Sequence, residues 1–241
     1  MGPINVEASV GRSRYDGLNI EYRRRMSGRF SIISHYVFSR SLVYNGHAAE
    51  FKNRATDVDN IFAKHDLGPT PNDERHRLVV SGLVDLPAGL QLAPIMQWAS
   101  PRPYDGQQGI DVFGWGTEVG PAHIVLSKES PNDLTATKDW TAAQLRTCIS
   151  AGQCYQAQYD LLRGQAFYQL DLRISKEIRL GDAPRLKLIF QAFNLTNRAN
   201  FGNKYVGDRN TSFGRPNGFI TPSGVTVPRS FSGEVGAQFT F

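Results

Sequence analysis

Residues 15–26 read Tyr-Asp-Gly-Leu-Asn-Ile-Glu-Tyr-Arg-Arg-Arg-Met, and the fold prediction rests on the periodicity of this stretch. Three apolar side chains fall on alternate positions: Leu18, Ile20 and Tyr22. The position after each of them is polar: Asn19, Glu21 and Arg23. Because successive side chains of an extended strand point to opposite faces, the pattern predicts a β-strand with one apolar and one polar face.

The same alternation returns six more times along the chain. The seven stretches begin near residues 15, 29, 76, 90, 167, 186 and 231. Turns of about two to four residues alternate between them with loops of roughly 30 residues or more. In an up-and-down meander all short turns then lie at one rim and all long loops at the other. Bacterial outer-membrane barrels show this asymmetry, and a soluble sandwich has no reason for it.

Composition agrees with a folded β protein. The chain has 40% apolar and 20% charged residues, and its 11% aromatic content and 23 glycines favour many short strands with turns. Its longest apolar runs, such as 78–80, are far shorter than the roughly 18 residues of a membrane-spanning helix. The net charge of +5 includes one dense basic run, 23–25, without any nucleic-acid-binding signature, so we expect no nucleic-acid partner. The predicted fold class is all-β: an antiparallel up-and-down meander of about seven long strands, part of a transmembrane outer-membrane β-barrel.

The polar faces of the strands are predicted to line an aqueous lumen, because hydrocarbon penalises exposed charges by several kcal/mol. The lumen-facing polar residues are Asn19, Glu21, Arg23, His35, Arg77, Asp85, Gln97, Gln169, Asp171, Arg173, Lys187, Gln191 and Glu234. The apolar faces would then contact lipid. Periodicity alone leaves one alternative open, in which the apolar faces form the dry core of a soluble sandwich or barrel.

Two cysteines lie in one long polar stretch. Cys148 and Cys154 are predicted to form a small disulfide loop in an oxidising compartment, with two unrelated free thiols as the open alternative. Two thiolates without a nearby histidine are too few for a metal site, so we expect no metal and no cofactor.

A hydrolase in a barrel wall would need a nucleophile and a base that converge. The candidates are His35 with Ser31 or Ser39, and the group His65, Asp66 and His76. We interpret all of them as solvated polar residues. The chain is therefore not expected to be an enzyme.

Several motifs occur in order along nearly the whole chain. They are residues 15–25 running into 33–42, residues 73–77 leading into 81–87, residues 100–104, and Gln-Ala-Phe-Asn-Leu-Thr-Asn at 191–197 followed by Asn-Phe-Gly at 200–202. Together they resemble the barrel of TonB-dependent receptors, in particular the Oar-like group. The C-terminal pattern is similar to the signal that the barrel-assembly machinery reads in such proteins: Val235, Ala237, Phe239 and Phe241.

The resemblance carries expectations about function and partners. Such receptors have a signal peptide, a TonB-contacting segment and a plug domain ahead of a barrel of about 22 strands. Residues 1–241 are therefore expected to be the C-terminal segment of an outer-membrane β-barrel, with plug domain and signal peptide absent. The parent protein would take up a small nutrient or oligomeric substrate across the bacterial outer membrane, contacting outer-membrane lipid, the barrel-assembly machinery and, only through the missing plug, the TonB complex.

Two further expectations follow from the sequence. The alternative function is a soluble or surface-exposed β-rich ligand-binding module. In addition, seven antiparallel strands are not expected to close into a barrel of their own, because the first and last would run in the same direction and meet in a parallel seam.

Overall fold

One large antiparallel sheet runs through the chain. The computed structural model describes residues 11–44, 60, 62–114, 122–181, 183–220 and 230–241. In these residues the strands are β1 Ser13–Ser27, β2 Phe30–Tyr44, β3 Leu67–Pro69, β4 His76–Leu86, β5 Leu90–Ala99, β6 Pro103–Tyr104, β7 Val125–Ser127, β8 Cys154–Gln156, β9 Leu162–Arg163, β10 Phe167–Arg179, β11 Arg185–Phe193 and β12 Ser232–Thr240. One α-helix, α1 Ala142–Ser150, lies between β7 and β8.

The seven long strands pair with their neighbours in sequence, in the order β1-β2-β4-β5-β10-β11-β12, and every pair is antiparallel. This arrangement confirms the predicted fold class, an antiparallel up-and-down meander. The short strand β3 adds an eighth member by pairing with the end of β2. Connections between the long strands alternate between short turns and long loops, so the two kinds lie at opposite ends of the sheet.

The sheet is not closed. Among the described residues, β1 pairs with β2 and β12 pairs with β11. The outer edge of each of these two strands is not hydrogen-bonded to another strand. Seven alternating strands leave β1 and β12 running in the same direction. The expectation that the seven strands do not form a barrel by themselves is confirmed in this structure.

Two short turns use backbone conformations that tight reversals require. Gly28 has φ 68°, where a residue without a Cβ meets no steric penalty. Ala88, in the turn between β4 and β5, has φ 62°, a conformation that costs an L-residue about 1 kcal/mol. The third short turn includes residue 182, which lies outside the described residues.

Most of the buried apolar residues lie in the long loops, and a smaller cluster joins the sheet to them: Ala99, Phe167 and Ile220. Every residue of β1 and of β12 is exposed. Tightly buried apolar side chains cluster instead between β5 and β10: Val112, Ala122, Val125, Leu145 and Cys154. A second cluster lies beside it: Ile124, Leu126 and Ala157. We call this unit the loop cap, comprising residues 62–75, 100–114, 122–165 and 194–220.

The loop cap contains structure that strand periodicity did not predict. Strands β6 and β9 pair with each other, as do β7 and β8, and α1 packs against β8. Thr141 begins α1 as a capping box, since its side chain accepts from the Gln144 N–H while the Gln144 side chain accepts from the Thr141 N–H. No described helix is long and apolar enough to cross a membrane.

Candidate functional site

The thirteen predicted lumen-facing residues share one face of the sheet. The pairing register fixes this, because directly opposed residues of neighbouring strands point the same way. Glu21 opposes His35, whose next neighbours across the sheet are Val79, Gln97 and Gln169. Another row is Arg173, Gln191 and Glu234. That this common face lines a lumen remains a prediction.

Many of these polar side chains contact one another or their neighbours along the face. Glu21 lies 3.1 Å from Arg23 NH2 and 3.7 Å from His35 Nδ1. Gln169 Nε2 donates to both carboxylate oxygens of Asp171, at 2.8 and 2.9 Å. These contacts are partly exposed, so each stabilises the fold by only about 0–1 kcal/mol. The face is thus a hydrated, mixed-charge surface.

Two depressions lie on this polar face. One, of about 470 Å³ near the short turns, is lined partly by carboxylates and cations: Asp85, Glu177, Arg179 and Lys187. The other, of about 250 Å³, lies in mid-sheet and includes Asp171, Arg173 and Gln191.

Motif residues that are far apart in sequence meet where the strands enter the loop cap. Asp73 Oδ1 accepts from the Ser41 N–H at 2.7 Å, which joins the first long loop to β2. Glu74 accepts from Arg77 and Arg102, each at 2.7 Å, and so links the start of β4 to the segment after β5. The resemblance motifs 33–42, 73–77 and 100–104 therefore form one structural joint.

The Asn-Leu-Thr-Asn motif forms the turn that ends β11. Asn194 adopts φ 49°, its backbone N–H donates to Asp171 Oδ1 at 2.8 Å, and its side chain bonds the backbone of Arg198. Further along, the Asn200 amide accepts from the Tyr168 N–H and donates to the Tyr168 carbonyl. The Asn200 side chain thereby replaces a neighbouring strand at the part of β10 that extends beyond β11.

A buried ionic cluster joins the loops of the cap. His123 is 3% exposed, and its ring nitrogens lie 3.1 Å from Asp105 Oδ1 and 3.3 Å from Asp66 Oδ1. Asp66 comes from the loop after β2, whereas Asp105 and His123 belong to the loop after β5. Asp160, from the same loop, is also buried. The cluster therefore pins two long loops together.

Both titrating groups of this cluster have perturbed pKa values. Burial alone would lower the pKa of His123, but hydrogen bonds to Asp105 and Asp66 outweigh burial and raise the pKa to about 9. Burial and the charge of Asp105 raise the pKa of Asp160 to about 8, against the opposing effect of His123 and Arg163. Near neutral pH the cluster therefore holds a protonated imidazole between carboxylates.

Two other features lock the cap. Cys148 and Cys154 are joined by a disulfide that ties the end of α1 to the start of β8, as the sequence predicted. Arg209, from the loop after β11, donates to Gln108 Oε1 at 2.7 Å and to Thr137 Oγ1 at 2.9 Å. Arg209 is almost fully buried, so it fastens the last long loop into the core of the middle one.

The hydrolase candidates do not converge. Ser31 and Ser39 each lie four residues from His35 along β2, about 13 Å away in an extended strand. The Ser39 hydroxyl donates to the Glu74 carbonyl. The interpretation of His35 as a polar face residue agrees with its position, 50% exposed beside Glu21.

His65 and Asp66 lie together, with His65 Nε2 3.9 Å from Asp66 Oδ2, but His76 has other partners. The interpretation of these residues as solvated is wrong for Asp66, which is fully buried, and His76 is only partly exposed. His76 faces the apolar side of the sheet, where its Nδ1 bonds the Tyr36 hydroxyl at 2.8 Å and its ring lies against Phe38. Asp66 lies between His65 and His123, with its Oδ1 3.3 Å from His123 Nε2. Among the described residues no group of three or more histidine, cysteine or acidic side chains is placed to hold a metal ion.

Sequence reasoning missed the His123 cluster and Arg209. Asp66 and His123 are 57 residues apart, and no local pattern signals their contact. Only α1 had a sequence signal, the Thr-x-x-Gln capping box at 141–144.

The comparison with known proteins agrees with the geometry. The sequence matches the protein family described as "Outer membrane beta barrel domain" over residues 1–231. No curated protein matches the sequence. The match covers all of the chain except the residues that contain β12.

Proposed function

We propose, from the premise that this chain belongs to the outer membrane beta barrel domain family, that its sheet is one arc of a TonB-dependent receptor barrel that takes up a nutrient. The family places the chain in the bacterial outer membrane, where strands must present apolar side chains to lipid. Domains of this family are generally non-enzymatic, and we extend that statement to this chain. The soluble-module alternative loses its support, because proteins of this family lie in a membrane.

The observation that carries the proposal is the open arc with one continuous polar face. An outer-membrane barrel must pair every strand, because unpaired backbone groups in hydrocarbon each cost several kcal/mol. Within the part of the chain that the structure describes, the outer edges of β1 and β12 are unpaired and the two strands run in the same direction. Antiparallel closure therefore requires an odd number of additional strands between them. A barrel of about 22 strands meets this condition.

The motifs of the resemblance support the receptor assignment, because they occupy structural positions in this arc. Residues 73–77 and 100–104 join the strands to the cap, and 191–202 form the turn after β11. The polar face then corresponds to the barrel interior, where a plug and a passing substrate would contact it. We assign the plug, TonB contact and substrate entry to the whole receptor.

The arc can be tested by cross-linking. Cysteines at Ile20 and Val235 would lie side by side if this chain closed on itself, and far apart in the arc. In outer membranes, oxidation of the Ile20→Cys/Val235→Cys protein should give no internal cross-link. A matched pair within the ladder, Ile20→Cys with Tyr36→Cys, opposes directly across β1 and β2 and should cross-link. Efficient linkage of the first pair would contradict the proposal.

Energised uptake can be tested without knowing the substrate. Cells that lack the gene and cells that lack TonB should fail to deplete the same compounds from a defined nutrient mixture. Wild-type cells should deplete them. If the two mutants share no such compound, the transport proposal is wrong although the barrel assignment stands.

A further inference from the structure

The outward, apolar face of the sheet contains a groove beside one cationic side chain. The groove has a volume of about 390 Å³ and crosses β2, β4 and β5. Its lining includes Phe30, Ile32, Gly82, Val84, Pro94 and Met96. Except at its margins the groove contains no charged group. A sheet face covered evenly by side chains would have no such depression.

The groove has a local structural cause. Gly82 opposes Ile32 in the ladder and has no side chain, and a Cβ built there would lie 3.9 Å from Pro94 Cγ. The β4–β5 ladder has no pair between Ser81–Ile95 and Val84–Leu92, at the level of Pro94, which has no N–H to donate. A glycine facing a proline thus leaves a gap between the larger side chains above and below.

The groove lies at the short-turn end of the sheet. Phe30 is the first residue of β2, and Val84 is two residues from the end of β4. The farthest lining residue, Met96, is six residues from the start of β5, about 20 Å along the strand at about 3.3 Å per residue. A barrel strand tilt of about 40° reduces this distance to about 15 Å along the membrane normal. Half of a hydrocarbon core is about 15 Å thick. The groove therefore faces the leaflet next to the short turns.

Arg24 supplies a charge at the mouth of this groove. Arg24 opposes Ile32 and so belongs to the apolar, outward face. Its Cζ lies 3.9 Å from the centroid of the Phe30 ring, which orients the guanidinium at the rim. A guanidinium recognises phosphate oxygens through paired N–H groups. An apolar groove that ends at such a group matches a molecule with an alkyl chain and a phosphate head.

We propose that Arg24 and the groove bind one glycerophospholipid of the periplasmic leaflet, with its phosphate on the guanidinium and one acyl chain along Gly82 and Pro94. The inference rests on the proposed orientation, in which the short turns are periplasmic.

Lipid retention by the full chain tests the site. Phosphatidylglycerol is titrated into the protein in mild detergent, and native mass spectrometry counts the bound molecules. The unmodified chain should retain one molecule. Arg24→Gln removes the phosphate contact, Gly82→Leu fills the groove, and each should weaken retention at least tenfold. Gly233→Leu is the control, because Gly233 lies in β12 on the same apolar face of the sheet but outside the groove. This substitution should change retention less than twofold.

Several results would overturn the site. Equal retention by all four proteins would mean unspecific lipid contact, and stronger retention of lipid A than of phosphatidylglycerol would mean the wrong leaflet. If Gly82→Leu does not fold, shown by loss of its β-sheet circular dichroism, Arg24→Gln alone decides, because that side chain is exposed. Retention does not depend on transport, so loss of the uptake result would leave this site untouched, and loss of lipid selectivity would leave uptake untouched.

Discussion

The His123 cluster leads us to expect that the loop cap opens more readily at high pH. The native pKa of His123 is about 9 against an ordinary value of 6.5, so the folded cap binds the proton more tightly than the opened cap. The stabilisation is complete below pH 6.5 and disappears as the pH rises through 9. Asp160, with a pKa of about 8 instead of 3.8, acts in the same direction, since its ionisation also disfavours the folded cap.

The expected size follows from the difference in pKa. For His123 the change from 6.5 to 9 corresponds to about 3 kcal/mol, or roughly a few-hundredfold change in the opening equilibrium. Because His123 is 3% exposed, solvent screening removes little of this amount. Hydrogen exchange of the amides beside His123 measures it. The Gln108 N–H donates to the Ala122 carbonyl and the Ile124 N–H to the Gly106 carbonyl, so both report opening of the cap.

The measurement compares the opening free energies at pH 6.5 and pH 9.5, corrected for intrinsic exchange. His123 alone should make opening easier by about 3 kcal/mol at the higher pH, and the ionisation of Asp160 between pH 6.5 and 8 should add to this amount. In His123→Gln the dependence should shrink by the His123 share, whereas His35→Gln, which alters an exposed histidine of the polar face, should retain all of it. The Asp85 N–H, which donates to the Arg29 carbonyl at the short-turn end of the sheet and lies outside the cap, serves as an internal reference. An unchanged opening free energy in the unmodified chain would refute the ionic link.

Three further outcomes are expected. Replacing Cys148 and Cys154 by serine should destabilise the cap by about 2 kcal/mol, measured as earlier cleavage of the cap in limited proteolysis across a urea series. Cysteines placed at Ser27 or Ala88 should resist an impermeant thiol reagent on intact cells, and labelling there would reverse the proposed orientation. Asn200→Ala removes two hydrogen bonds to the backbone of β10 and should ease local opening there by about 1–3 kcal/mol in hydrogen exchange.

The long strands could be predicted because their signal is local. β4 and β5 begin at the predicted residues, 76 and 90, since alternation sets each strand and the turn at 87–89 separates them. The common polar face also follows, because a register error of one residue would reverse the faces. Pro94, which lies where the β4–β5 ladder is interrupted, leaves this alternation intact.

The loop cap could not be predicted in the same way. Its contacts join residues far apart in sequence, such as Asp66 with His123 and Gln108 with Arg209. Irregular backbone has no periodicity, so the core residues of the cap do not form a pattern. His76 shows the same limitation within a strand, because its bond to the Tyr36 hydroxyl depends on a partner 40 residues away.

The separation between an exposed sheet and a buried cap follows from two different solvents. Leu18, Ile20 and Tyr22 are 56%, 52% and 58% exposed, a contiguous apolar surface that would promote association in water. In the barrel that we propose, the same surface contacts lipid at no such cost and the polar face contacts water, so the sheet needs no dry interior. The loops would then lie beyond the bilayer, where apolar side chains must be buried to keep them ordered. The hydrogen bond between Asp73 and Ser41 lies where the sheet meets the loop cap.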